Sequence, residues 1–167
     1  MGFNIMIHST KMSMAEVVLF CKKWNNYHED DGEWIEEERY VDYDDEFEKL
    51  FTKLTDWRGS PVYQVHNWLV EHIENNSDHG GLFIITREKI EELSIVVDKL
   101  VNDLAEKLGS DHDIKDYLID EHYWNHDKQN FSDAYSHYNL EFVQKGIKKI
   151  LDLLDSDDEI ILVYHSA

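Results

Sequence analysis

The chain has 167 residues, 36 Asp and Glu against 16 Lys and Arg, and a formal net charge of −20. That charge opposes binding to bare nucleic acid, whose backbone attracts Lys and Arg. An aromatic content of 13% argues against a disordered chain, because such a sequence can bury enough apolar area to offset chain entropy. The length suits one domain, residues 1–167.

Phe3 to His8 alternates loosely and is β-prone, so a short strand is predicted. Ser13-Met14-Ala15-Glu16 reads as a capping box, with Met12 and Val17 placed as its hydrophobic staple. The helix that follows would put Val17, Phe20, Cys21 and Trp24 on one face and end near Asn25-Asn26. Cys21 is the only cysteine, so no internal disulfide can form. On that face it reads as a small buried hydrophobe.

The stretch from Glu29 to Glu48 is an acidic insertion interleaved with Trp34, Ile35, Tyr40, Val41, Tyr43 and Phe47. A purely solvating acidic tail would lack those apolar residues. Two readings stand: a solvated insertion, or a surface on which Glu33, Trp34, Glu36, Glu37, Glu38, Asp42, Asp44, Asp45 and Glu46 meet a partner. In the second, carboxylates stand where nucleic-acid phosphates would stand and engage a partner's Lys and Arg. A strand over Trp34 to Val41 is one option within it. Asp42 opens no calcium loop, because the sixth and twelfth places hold Phe47 and Lys53, where Gly and Glu are required.

A short helix is predicted over Glu46 to Leu54, with Phe47, Leu50, Phe51 and Leu54 inward. Ser60-Pro61 reads as a cap and first position of a central helix from Val62 to Asn76. Val62, Val65, Leu69 and Ile73 form its apolar stripe, and His66 falls inside that stripe. The plainer reading of His66 is a buried neutral imidazole; the sharper one is a ligand contact. Trp57-Arg58, just before the cap, is either an anchor with a solvated guanidinium or a stacking and anion-binding pair. With Trp68, these residues make a candidate ligand site: Trp57, Arg58, His66 and Trp68.

The run Trp57-Arg58, then His66-Asn67-Trp68-Leu69-Val70-Glu71, then Thr86-Arg87-Glu88-Lys89-Ile90-Glu91-Glu92-Leu93, resembles a group of small phage-encoded proteins. Those carry W-R-K-A-N, H-x-W-F-V-E and S-R-E-Q-L-E-E-L segments. The start Met1-Gly2-Phe3-Asn4 and the end Val163-Tyr164-His165-Ser166 are similar to theirs as well. Gly59-Ser60-Pro61 and His122-Tyr123-Trp124-Asn125-His126 depart from the pattern. The resemblance implies a phage or prophage origin and transfers no catalytic residues.

Asn75 to Gly81 is a turn cluster, and Leu82 to Ile85 a brief apolar run. Thr86 is placed to cap a long helix carrying Ile90, Leu93, Val97, Leu100, Val101, Leu104 and Leu108, which Gly109 would stop. Ser110 to His137 has no clear period. It is dense in His112, Asp113, Asp120, Glu121, His122, His126, Asp127, Asp133 and His137. His122 and His126 have the spacing of a helical zinc pair, but Tyr123 stands where a metalloprotease needs Glu. A metal-dependent hydrolase is the weakest of three functional readings, and no metal or cofactor is expected.

Leu140, Val143, Ile147, Ile150, Leu151 and Leu154 mark a last helix in which Gly146 would allow close packing. Ile160 to Val163 is apolar on both faces, as in an internal strand, and should pair with Phe3 to His8. The expected fold is α+β, mainly helical, with four to five helices and a small sheet from the two terminal strands. Two further functional readings follow. One is a phage counter-defence inhibitor of a host defence protein with a basic nucleic-acid-binding surface. The other is a binder of a small nucleotide signal at the Trp57 site. No leader or membrane span is recognisable, so the host cytoplasm is the expected location.

Overall fold

The computed structural model describes residues 4–29, 43–58, 62–74, 81–109 and 128–166. Four strands, β1 (Asn4–Thr10), β2 (Thr52–Arg58), β3 (Leu82–Ile85) and β4 (Ile161–Ser166), form one antiparallel sheet in the order β2-β1-β4-β3. Among the described residues five helices cover it: α1 (Met14–Glu29), α2 (Tyr43–Leu50), α3 (Tyr63–His72), α4 (Arg87–Leu108) and α5 (Lys128–Ser156). The α+β expectation holds. The terminal strands do pair, with Ile5 opposite Ser166 and Ile7 opposite Tyr164, and β2 and β3 extend the sheet at either edge.

Successive strand residues point to opposite faces, and both faces here are apolar. Ile5, Ile7, Trp57, Ile85, Leu162 and Tyr164 pack against α3, α4 and α5 in the larger core. Leu82 and Val163 join Val17, Phe20, Cys21 and Trp24 of α1, and Phe51 just after α2, in a smaller one. The continuous run in β4 is therefore explained by a central strand covered on both sides. Asn25 ties α1 to the edge strand β3: its amide donates to the Leu82 carbonyl at 3.1 Å and accepts from the Leu82 N–H at 2.7 Å.

Local signals explain the start of α1 and both ends of α4. Ser13 Oγ accepts from the Glu16 N–H at 3.3 Å, as a cap should. Its hydroxyl also donates to the Glu16 carboxylate at 3.1 Å, so the Glu side chain bonds the Ser side chain. Thr86 Oγ1 accepts from the Lys89 N–H at 3.3 Å, a cap contributing about 1 kcal/mol. Gly109 ends α4 at φ 77°, a backbone conformation that glycine adopts without steric cost. Helix α1 runs past Asn25-Asn26 to Glu29.

Two further expectations fail. The cap of α3 is Val62, which has no side-chain hydrogen bond to offer; Ser60 and Pro61 lie outside the described residues. And Glu46 to Leu54 is not one helix: α2 ends at Leu50 and β2 begins at Thr52. Leu54 stands in helical phase with Phe47, Leu50 and Phe51, which makes the helix look longer than it is. In the sheet, Ile7 pairs with Thr55 and His8 with Lys53, so Leu54 is the extra residue of a β-bulge. The Thr55 hydroxyl accepts the Ile7 N–H at 3.2 Å there. Helix α5 also begins at Lys128, inside the stretch that has no legible period.

Candidate functional site

The four residues read as a ligand site do not present one open surface: Trp57 and His66 are buried, Trp68 is half-buried and Arg58 is exposed. Trp57 is 2% exposed and belongs to the larger core. A stacking platform needs an open ring face, and this indole has none. His66 is buried on the inward face of α3 with Val65 and Leu69. Trp68, half-buried, stacks on His72 with ring centroids 4.4 Å apart. Arg58 is exposed and grips Asp56 through Nε at 2.9 Å and Nη2 at 2.7 Å, which holds the Asp56 carboxyl below its ordinary 3.8.

Of the acidic segment, Glu33, Trp34, Glu36, Glu37, Glu38 and Asp42 lie outside the described residues. Asp44, Asp45 and Glu46 fall in the first turn of α2, where the helix dipole favours negative charge. Asp45, Glu46 and Glu48 are exposed. The helix is anchored by aromatic packing: Phe47 stacks on Phe51 at 4.7 Å and lies 5.2 Å from Trp24, while Phe51 lies 5.1 Å from Phe20. Thr10 of β1 donates its hydroxyl to the Leu50 carbonyl at 2.9 Å, satisfying an acceptor at the end of α2.

The candidate metal region is described only in part. His112, Asp113, Asp120, Glu121, His122, His126 and Asp127 lie outside the described residues. Asp133 is buried on α5 and paired with Lys107 of α4 at 2.8 Å, and His137 lies 3.8 Å from Glu141. Among the described residues no group of three or more His, Cys, Asp and Glu side chains is placed to hold a metal ion. Burial pushes the Cys21 thiol up to about 11, in keeping with a packing role and not a nucleophilic one. No described helix is long and apolar enough to cross a membrane.

A cavity that the sequence does not announce opens on the α1–α2 side of the sheet. Its lining comes from Met6 and His8 of β1, Lys53 of β2 and His165 of β4, with Trp24, Phe47, Glu48 and Phe51 above them. The β2 bulge is what brings Lys53 opposite His8; without Leu54 as the extra residue the alternation would turn Lys53 to the other face. His165 pairs with Met6, two residues along β1 from His8 and therefore on the same face of the sheet. These residues are far apart in the chain, so no motif could have marked them. Burial, then His165 and then Lys53, lower the His8 pKa from 6.5 to about 4, and Asp56 opposes them weakly.

Comparison with protein-family models, with curated proteins and with solved structures finds no match.

Proposed function

We propose that the protein is an anionic binding module that occupies the basic, nucleic-acid-handling surface of another protein. The observation that carries this reading is α2: exposed carboxylates on a helix held to the body by Phe47 and Phe51. It continues directly from the most acidic stretch of the sequence, in which Asp30, Asp31, Glu33, Glu36, Glu37, Glu38 and Asp42 are accompanied by a single basic residue, Arg39. Closely spaced carboxylates repel one another, a cost that a partner's Lys and Arg would relieve. In the phage setting that the sequence resemblance implies, the partner is a host defence nuclease and the module is its inhibitor. Trp57 and His66 are buried, which favours the acidic surface over a nucleotide platform at Trp57, Arg58, His66 and Trp68.

The test is a charge reversal. Glu36→Lys, Glu37→Lys, Asp45→Lys and Glu46→Lys together should abolish capture of a nucleic-acid-binding protein from host lysate, and duplex DNA should displace the wild-type complex. Capture that survives the reversal, or that ignores competing DNA, rejects the reading.

A further inference from the structure

We propose that the cavity between the sheet and α1–α2 binds a small anion attached to a flat aromatic ring, with His8, Lys53 and His165 taking the anionic group and Trp24, Phe47 and Phe51 the ring. This goes beyond the acidic surface and does not depend on it: the cavity faces the sheet, whereas Asp45 and Glu46 face solvent.

The first observation is His8. It is 7% exposed, it lines the cavity, and its Nδ1 is fully buried with no hydrogen-bond partner among the described residues. Buried polar atoms in folded proteins are paired as a rule and an unpaired one is a cost; because Nδ1 is closed to solvent, a ligand removes that cost only by turning the imidazole toward the cavity. The ring is held edge-on to Phe47 at 4.6 Å, so it is positioned without a polar partner.

The second is the sign of the local field. On a chain of net charge −20, one small cavity collects two imidazoles and an ammonium. Both His165 and Lys53 act on His8 as positive neighbours. Of the nearby carboxylates, Asp56 is already shared between Arg58 and Lys53, the latter at 3.3 Å, and Glu48 is the one acidic residue in the lining among the described residues. An anion placed among His8, Lys53 and His165 would favour the protonated imidazole.

The third is the shape of the wall. Phe47, half-buried, gives the cavity its main aromatic face, and Trp24 and Phe51, 6% and 5% exposed, add only the little surface they leave open. Its volume of about 620 Å³ lies within the range of small-molecule sites. A bare inorganic anion would leave the aromatic wall unused. Nucleotides and aromatic carboxylates both supply a ring and a negative group.

The experiment follows the histidine ring protons by NMR while the full chain is titrated with adenosine monophosphate, indole-3-acetate or inorganic phosphate. Binding of either aromatic anion should shift the His8 and His165 signals and raise the His8 pKa, and the better of the two identifies the ligand class. Inorganic phosphate should bind more weakly. Lys53 is half-exposed, with 52% of its side chain open to solvent, so Lys53→Gln should leave the melting temperature unchanged. It should weaken binding about tenfold, the usual loss for a charge-assisted contact. His8→Gln should remove the shift at His165. The proposal is overturned if neither aromatic anion moves the histidine signals, if Lys53→Gln binds as tightly as wild type, or if phosphate binds as well as the aromatic anions.

Discussion

His8 is a titratable group folded in its neutral form. Its pKa falls from 6.5 to about 4 through burial and the facing His165 and Lys53, with Asp56 pulling weakly the other way and Glu48 also in the cavity lining. The unfolded chain takes up this proton near pH 6.5 and the folded chain only near 4. The contribution of a neutral His8 is therefore complete above pH 6.5, declines as the pH falls toward 4, and does not change further below that. With screening by water at the cavity mouth, the loss over this window should be roughly 1–2 kcal/mol. Urea unfolding at several pH values, wild type against His8→Gln, isolates it from the many carboxylates, whose effects cancel in the difference. Asp56 does not intrude, because its pKa is held below 3.8 by Arg58, beneath the window. A difference that stays flat between pH 7 and 4 would mean the imidazole is as free to charge in the fold as in the unfolded chain.

At the scale of elements, the seating of α5 on β2 depends on Gly146. A Cβ at that position would stand 2.9 Å from Nε1 and 3.1 Å from Cζ2 of Trp57. The indole is buried on the sheet and cannot swing into solvent. Gly146→Ala gains about 1 kcal/mol of helix propensity, yet overpacking of this kind costs about 1–3 kcal/mol. Because the obstacle is a rigid, enclosed ring, the cost should exceed the gain, lowering the urea midpoint with the slope unchanged. A higher midpoint would show that the helix can shift to admit a methyl group. The glycine was legible in sequence as a place of close approach; its neighbour was not, since Trp57, though read first as a hydrophobic anchor, names no partner in the sequence. The same limit governs the rest of the fold. Thr86 and Gly109 could be read because a cap and a stop act within a few residues. The stripes of α1, α4 and α5 could be read because burial repeats along one helix. β2 could not, because Leu54 continues a helical spacing and only pairing with β1 makes it a bulge. The cavity joins residues 8, 53 and 165, which only the sheet brings together.

For the whole molecule, the surplus of negative charge sets opposite salt dependences for folding and for binding. Described ion pairs such as Arg87 with Glu91 and Asp155, or Lys89 with Glu92 at 2.9 Å, sit at the surface. Each contributes roughly 0–1 kcal/mol, so screening them costs little. The net charge of −20 acts the other way, since like charges repel across the folded body at low ionic strength. Raising the salt from about 0.01 M to 0.15 M shortens the screening length from about 30 Å to about 8 Å, well inside the span of a domain this size. The fold should therefore gain roughly 1–2 kcal/mol, or about 2–4 °C in melting temperature for each kcal/mol. Over the same range a complex with a basic partner should weaken, because attraction between exposed opposite charges is screened as well. Differential scanning calorimetry and a salt series of the capture assay measure the two slopes separately. A melting temperature that fell with salt would mean that local ion pairs outweigh the repulsion. The acidic surface would then carry no strain for a partner to relieve, and its proposed role as an anionic decoy would lose its physical basis.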